Sequence, residues 1–270
     1  MEVDHTKCVG CGNCVAICTM GVISVQNGKA QINQEECVEC GTCYRVLRRE
    51  GLPPQPVRLI RRLLQTFRLY HDAELDVCPT GALVLPELTW PRILRREFSD
   101  PLIIHSSTGV GGRGTEEIKT NDVTNRLKEG DVGFVVELGR PGLGSRLSDL
   151  EKFTLALAKL GVDFEPKNPV TFLMSDVTTG KLKDDVLNEK VLSAIIEFKT
   201  RSERVPEVLQ AIERTQQEIS TVCAVGISAR CGPDGSIPYV EMVESLGYKL
   251  SLNGKTNLGL GRATLKENRR

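Results

Sequence analysis

Apolar and polar positions near the start of the chain alternate in short runs that predict strands rather than long helices. Residues 22–26 and 29–32 flank Asn27-Gly28, a dipeptide that favours a two-residue hairpin turn. Strands are also predicted at residues 1–5 and 82–85. We therefore expect two similar halves, each made of a strand, a loop, a short helix and a second strand.

A different alternation of strands and helices is predicted after residue 100. Ser148-Asp149-Leu150-Glu151 has the spacing of a capping box, and Gly161 ends the helix that follows it. Strands are predicted at residues 132–138, 170–174, 193–198 and 222–227, and helices at 148–160, 205–220 and 237–246. From residue 132 onward this order corresponds to a split βαβ arrangement. A hairpin at Asn253-Gly254 is expected to follow.

Prolines and a change in cysteine content divide the chain into two unlike parts, so we predict an α+β protein. Its N-terminal domain covers residues 1–88 with a helical insertion at 44–77, a linker covers 89–100, and a C-terminal α/β domain covers 101–270. A hydrophobic content of 40% supports a buried core.

The charge and hydropathy of the chain exclude some classes of partner. The 35 basic and 35 acidic residues balance, which argues against general nucleic-acid binding. No run approaches the roughly 18 apolar residues of a membrane span. The first residues show no apolar leader, so we expect a soluble protein of the reducing cytoplasm.

Eight of the ten cysteines precede residue 80. The first run, Cys8, Cys11, Cys14 and Cys18, reads C-x2-C-x2-C-x3-C, and the second has Cys37, Cys40 and Cys43; Cys78 follows separately, before Pro79. This is the ligand spacing of a [4Fe-4S] cubane whose fourth cysteine serves the other cluster of a pair. A zinc site would leave cysteines over, and disulfide frameworks belong to short secreted chains.

With these two runs, residues 1 to about 88 resemble the two-[4Fe-4S] bacterial-type (dicluster) ferredoxins. The resemblance implies two [4Fe-4S] clusters. One would be held by Cys8, Cys11, Cys14 and Cys78, and the other by Cys37, Cys40, Cys43 and Cys18. Two departures stand out. Thr19 occupies the position of the usual proline, and 34 residues separate Cys43 from Cys78.

The insertion contains a predicted basic helix at residues 57–70. Its apolar positions have helical spacing and are expected to face the protein: Val57, Ile60, Leu63, Leu64 and Phe67. The arginines fall elsewhere on the helical wheel. They either form a solvated face, dock an acidic redox partner through Arg58, Arg61 and Arg62, or lie on a membrane surface.

Glycine-rich loops and isolated cysteines are the remaining candidate features of the second part. Gly109–Gly114 matches G-x-G-x-x-G, with Glu137 as a possible ribose acid, but an ordinary flexible or substrate-facing loop fits as well. The loop from Gly139 to Arg146 could hold an anion through its two arginines or form a solvated turn. Cys223 and Cys231 are expected to be buried free thiols.

These features favour an iron–sulfur electron-transfer protein or subunit that serves an oxidoreductase partner. The alternative is a reductase whose C-terminal domain binds a small molecule or flavin and is reduced by the clusters. A redox-sensing interaction module is a third reading. The three histidines, His5, His71 and His105, are scattered, and no catalytic constellation can be assembled from the sequence.

Overall fold

The computed structural model describes residues 1–69, 76–112, 114–115 and 125–251. Over these residues the chain forms a mixed helix and strand fold with two hydrophobic cores. The first core ends at Leu85 and contains six of the cysteines, and the second begins at Leu94. No described helix has both the length and the apolar character that a bilayer crossing requires.

The N-terminal part is a pair of short hairpin-like ladders with small helices between them. Its elements are β1 (Glu2–Val3), α1 (Asn13–Ile17), β2 (Ile23–Gln26), β3 (Lys29–Ile32), α2 (Thr42–Val46), β4 (Arg48–Arg49), α3 (Pro54–Thr66), β5 (Val77–Cys78) and β6 (Leu83–Val84). β1 pairs with β6 and β2 with β3, both antiparallel. The predicted hairpin turn is confirmed, because Asn27 and Gly28 have φ of 50° and 68°. β4 pairs with β5 in parallel, so the insertion leaves and re-enters the domain side by side.

The C-terminal part is built on a four-stranded antiparallel sheet in the order β14-β7-β13-β9. The helices are α4 (Ile93–Ser99), α5 (Leu147–Ala158), α6 (Pro169–Leu173), α7 (Val205–Gln216) and α8 (Val240–Ser245). The strands are β7 (Asp131–Leu138), β8 (Ser145–Arg146), β9 (Asp163–Phe164), β10 (Met174–Asp176), β11 (Lys181–Leu182), β12 (Lys190–Val191), β13 (Ala194–Arg201) and β14 (Cys223–Ala229). Two short 3₁₀ helices, Asp184–Val186 and Ser202–Arg204, complete the fold.

Alternate residues of the central strands form the second core. Val132, Phe134, Val136 and Leu138 of β7 are fully buried, as period-two alternation requires when one face of a sheet is covered. Phe134 stacks on its cross-strand neighbour Phe198 with ring centroids 5.2 Å apart. The apolar faces of α5 and α7 complete this core.

Two local predictions in this part are wrong. Residues 169–173 are a helix rather than a strand, because the side chain of Asn168 accepts a hydrogen bond from Val170 N at 2.8 Å and Pro169 occupies the first helical position. The capping box at Ser148 does not form. α5 begins one residue earlier, at Leu147, and Glu151 instead accepts a hydrogen bond from Leu182 N.

The segment interpreted as a linker, residues 89–100, contains the buried helix α4. Leu94 and Phe98 lie four residues apart, on one face, and pack in the second core. Arg95 and Arg96 are also buried, on the side toward the N-terminal part. α4 is therefore in contact with both parts of the chain.

The orientation predicted for α3 is wrong. Its 13 residues include no buried side chain, and Ile60, Leu63 and Phe67 are exposed rather than packed. Arg58 and Arg61 face the protein instead, because backbone carbonyls of the first cysteine loop accept hydrogen bonds from them.

The hairpin predicted at Asn253-Gly254 and the histidine His71 lie outside the described residues.

Candidate metal centre

The first candidate centre is a cavity at the N-terminal loop. Four cysteines line it: Cys8, Cys11, Cys14 and Cys78. Three of them come from the first run, and Cys78 arrives from the far end of the insertion through β5. The main-chain pairing of β4 with β5 is what carries Cys78 back to this loop.

The second candidate centre is a cavity next to the second run of cysteines. It is lined by Cys18, Cys37, Cys40 and Cys43. Cys18 caps the C-terminus of α1, so the helix that begins beside one cavity ends beside the other. Each cavity thus receives three cysteines from one run and a fourth from elsewhere, and the two sets are interlocked.

Glycines allow each loop to turn tightly before its helix. Gly12 and Gly41 precede α1 and α2 with φ of 85° and 70°, a region that L side chains rarely adopt. Cys14 and Cys43 consequently occupy equivalent positions in the first turn of each helix. Gly10 has φ of 66°, and a Cβ there would collide with the carbonyl of Gly28.

Hydrogen-bond donors lie against several of the cysteine sulfurs. Ala30 N donates to Cys8 Sγ, and Ala82 N donates to Cys78 Sγ, both at 3.3 Å. At the second cavity the hydroxyls of Thr19 and Thr42 lie 3.4 and 3.3 Å from Cys40 Sγ. Thr19, the residue that replaces the usual proline, thus supplies a polar contact that proline cannot make.

The electrostatics of both cavities suit thiols that lose their protons to a bound cation. Burial, with the neighbouring thiols, raises the pKa of Cys14 and of Cys43 to about 12. Burial likewise raises the pKa of Cys11 and Cys37. Four thiolates would repel one another in such a site, whereas metal binding displaces the protons and offsets the charge. The four cysteines of each cavity therefore fit an iron–sulfur cluster.

A single metal ion would need a site of its own among the side chains that could ligate one. Within the described ranges, no three His, Cys, Asp or Glu side chains are grouped to share one ion. In a [4Fe-4S] cluster each thiolate binds its own iron, so this finding concerns single ions and not clusters.

Basic side chains hold the carbonyls of the first loop. Lys29 Nζ donates to His5 O at 2.6 Å and to Cys8 O at 2.7 Å. Arg58 donates to Cys8 O at 3.0 Å, and Arg61 donates to Gly10 O at 3.2 Å. Two of the three arginines predicted to dock a partner are therefore occupied by this loop.

Helix α4 holds the second loop in the same manner. Arg95 Nη1 donates to the carbonyls of Gln34, Glu35 and Cys37 at 3.0, 2.9 and 3.0 Å, while its Nε binds Glu189. The fully buried Glu39, with φ of 58°, accepts from Arg92 Nη2 at 2.7 Å.

Burial alone would raise the pKa of Glu39. Hydrogen bonds from the Met1 amino group and Arg92 outweigh burial, so its pKa is lowered. In the sequence, helix α4 is indicated by the pair Leu94 and Phe98, which lie four residues apart among arginines.

The glycine-rich loops of the C-terminal part do not form a dinucleotide fingerprint over the residues described. Residues 102–104 are not a strand, although Ile104 makes one bridge to Gly111. Arg113 and residues 116–124 lie outside the described ranges. Arg140 pairs with Glu137 at 3.0 Å and Arg146 with Glu36 at 2.6 Å, so both candidate anion-binding arginines have carboxylate partners.

Cys223 and Cys231 line neither cavity. Cys223 is half-buried in β14 and Cys231 is exposed, so the prediction that both thiols are buried is wrong. β14 lies at the edge of the sheet, which leaves its end open to solvent.

Sequence reasoning missed a buried polar group around His105. His105 is 1% exposed, and its Nδ1 lies 3.0 Å from Ser107 Oγ and 3.5 Å from Glu97 Oε2. Burial lowers the pKa of His105 to about 4. The sequence spacing does not predict the contact between Glu97 and His105, because α4 ends between them and no regular element fixes their relative positions.

Comparison with known proteins agrees with this geometry at the N-terminus. Residues 1–46 match the family model of the 4Fe-4S dicluster domain. Over 28 residues the chain is 57% identical to Ferredoxin-2 of Desulfomicrobium norvegicum, a match that covers 10% of this chain and 48% of that ferredoxin. No solved structure matches. The N-terminal segment is a ferredoxin-type 4Fe-4S domain, and the predicted resemblance is confirmed there.

Proposed function

We propose that the chain carries single electrons through two [4Fe-4S] clusters to or from an oxidoreductase partner. Cys8, Cys11, Cys14 and Cys78 would hold the first cluster, and Cys37, Cys40, Cys43 and Cys18 the second. The observation that carries this proposal is the interlocked pair of four-cysteine cavities. A [4Fe-4S] cluster supplies one-electron redox chemistry when bound.

The protein would supply ligation, hydrogen bonds to sulfur and a rigid spacing between the two sites. α1 runs from Cys14 at the first cavity to Cys18 at the second, a span of one short helix. Ala30 N, Ala82 N and the two threonine hydroxyls would stabilise negative charge on the ligand sulfurs. Lys29 and Arg95 would keep the two loops in place from outside.

We place this domain at residues 1–88 and a second domain of split βαβ type at 101–270. The strand order β14-β7-β13-β9, with α5 and α7 as the crossover helices, supports the second assignment.

Iron and sulfide analysis tests the proposal. The anaerobically purified protein should contain about eight iron and eight acid-labile sulfide per chain. Cys11→Ala should remove the first cluster and Cys40→Ala the second, each lowering iron toward about half. The matched control is the double variant Cys223→Ser/Cys231→Ser, which should keep the full content. One tightly bound zinc without iron would refute the proposal, and iron loss in the control would refute the ligand assignment.

One observation favours the second candidate, a reductase. The loop from Gly139 to Gly144 comes close to the second cavity, since a Cβ on Gly144 would lie 3.0 Å from Met20 Cε. Met20 itself lines that cavity. A ligand held by this loop would thus lie near the second cluster. An absorption spectrum with flavin bands beside those of iron–sulfur clusters would support this candidate.

A further inference from the structure

The outer surface of α3 is apolar, although the helix belongs to a small domain with little core of its own. Leu59, Ile60, Leu63 and Phe67 are 58%, 55%, 50% and 70% exposed. Their spacing places them on one side of the helix over about two turns. We call these four residues the apolar ridge. Contiguous exposed apolar patches on a folded protein commonly mark interaction sites.

The inner side of α3 fixes the ridge relative to the first cavity. Arg58 and Arg61 donate to carbonyls of Cys8 and Gly10, which belong to the loop that lines this cavity. Arginines on the inside and leucines on the outside reverse the usual arrangement of an amphipathic surface helix. The helix is thus attached to the first cysteine loop through its charged side, and its apolar side is left for another molecule.

The charge around the ridge indicates the kind of partner. Residues 51–69 contain no acidic residue, and Arg62 and Arg68 are exposed beside the ridge. A second copy of this chain would bring like charges together, which is unfavourable. A complementary surface would combine an apolar groove with an acidic rim.

We propose that α3 docks its apolar ridge into an acidic-rimmed apolar groove of a redox partner protein. The ridge has the i, i+3, i+7 spacing by which amphipathic helices bind grooves, with Ile60, Leu63 and Phe67 as anchors. This inference rests on the proposed electron-transfer function, because docking here places the partner beside the first cluster. A membrane surface is the competing occupant. It is disfavoured because Arg58 and Arg61 bind the first loop, so only Arg62 and Arg68 are exposed beside the ridge, whereas a helix lying on a membrane surface carries a strongly charged polar face.

Site-specific crosslinking in the full-length protein tests the docking directly. A photoreactive phenylalanine analogue replaces Phe67 in one protein and Phe172, an exposed phenylalanine of the C-terminal part, in the control. Both proteins are irradiated in cells that natively express the chain, and the captured protein is identified and purified. We expect a redox protein captured from position 67 and not from position 172. Capture from both positions, or from neither, overturns the proposal.

The purified captured protein is then the electron acceptor or donor in a kinetic assay. The double variant Leu63→Ser/Phe67→Ser should slow electron transfer to it about tenfold or more, as loss of interface anchors does. The matched control is Leu102→Ser/Phe172→Ser, which removes exposed apolar side chains elsewhere and should transfer at the wild-type rate. Equal rates in both double variants overturn the proposal.

Two further readouts separate the possible failures. Iron content and reduction by dithionite should be the same in the wild type and in both double variants. A wild type without clusters that dithionite reduces would refute the electron-transfer function rather than the docking, whereas iron loss confined to the ridge variant would show that the ridge stabilises the domain and would overturn the docking proposal. Vesicles of phosphatidylglycerol that bind the wild type and not the ridge variant would identify a membrane as the occupant and overturn the proposal of a protein groove.

Discussion

Replacing Arg95 by Met should loosen the contact between the second cysteine loop and the C-terminal part. Met keeps most of the apolar stem of Arg95 and removes its guanidinium. Three carbonyls, those of Gln34, Glu35 and Cys37, lose their shared donor at Nη1. The carboxylate of Glu189 loses its ion-pair partner at the same time.

The burial of this ion pair sets the size of the effect. The side chains of Arg95 and Glu189 are 4% and 12% exposed, so little water can replace the lost contacts. Removing one partner of a buried pair costs about 3–5 kcal/mol, because the other charge stays buried and uncompensated. That free energy corresponds to about two to three and a half orders of magnitude in the unfolding equilibrium. Adding Glu189→Gln removes the stranded charge and should restore part of the loss.

An anaerobic urea titration with two probes measures this effect. Trp90 is the only tryptophan, and its Nε1 donates to Asp185 Oδ2 of the C-terminal part at 2.5 Å, so its fluorescence reports on the junction. Visible absorption reports on the clusters. We expect both midpoints to fall for Arg95→Met and to recover in part for the double variant.

A surface arginine provides the matched control for this titration. Arg140 is 55% exposed and pairs with Glu137 at 3.0 Å, so Arg140→Met should cost less than about 1 kcal/mol. If Arg95→Met shifts the midpoints no more than Arg140→Met does, the argument from the buried network is wrong.

Three further predictions concern single side chains. Gly10→Ala should lose iron from the first cluster, because its new Cβ meets the carbonyl of Gly28 in addition to the cost of about 1–2 kcal/mol for a positive φ. Gly51→Ala, with φ of 68° and open space around the Cβ away from both cavities, is the control for iron content, and equal losses would contradict the steric argument. Thr19→Val should make the potential of the second cluster more negative in an EPR-monitored redox titration, since hydrogen bonds to sulfur raise it; an unchanged potential would show that the hydroxyl does not donate to Cys40. His105 stays neutral when folded down to pH about 4, below its ordinary value near 6.5, so the unfolded chain binds the proton first as pH falls. Its contribution to stability should therefore be lost from about pH 6.5 toward pH 4, and urea midpoints of His105→Gln should lack that part of the pH dependence.

Local chemistry was readable from the sequence wherever the contacts are short-range. The spacing of Cys8, Cys11 and Cys14 lies within one loop, and Asn27-Gly28 imposes positive φ on its own turn. Each of these features depends on neighbours a few residues away. The pattern alone therefore indicated the cysteine runs, the first hairpin, and the positions of strand β7 and helices α5 and α7.

The orientation of whole elements was decided only by tertiary contacts. Hydropathy predicted that the apolar side of α3 would face the protein. Instead, Arg58 and Arg61 donate hydrogen bonds to carbonyls of the first loop, so the arginine side faces the protein and the apolar side is exposed. The segment interpreted as a linker forms helix α4. Leu94 and Phe98 pack in the second core, and Arg95 donates hydrogen bonds to three carbonyls of the second loop. Asn168 and Pro169 imposed a helix on apolar residues that suited a strand equally well.

The position of Cys78 shows the same division between sequence and structure. Nothing within the 34 residues after Cys43 specifies where the chain returns. The parallel pairing of β4 with β5 brings it back, and this pairing joins residues about 30 positions apart. The sequence determined which residues could bind metal, because that depends on side-chain chemistry and local spacing. The tertiary structure decided which of them share a cavity, because that depends on contacts between residues far apart in the chain.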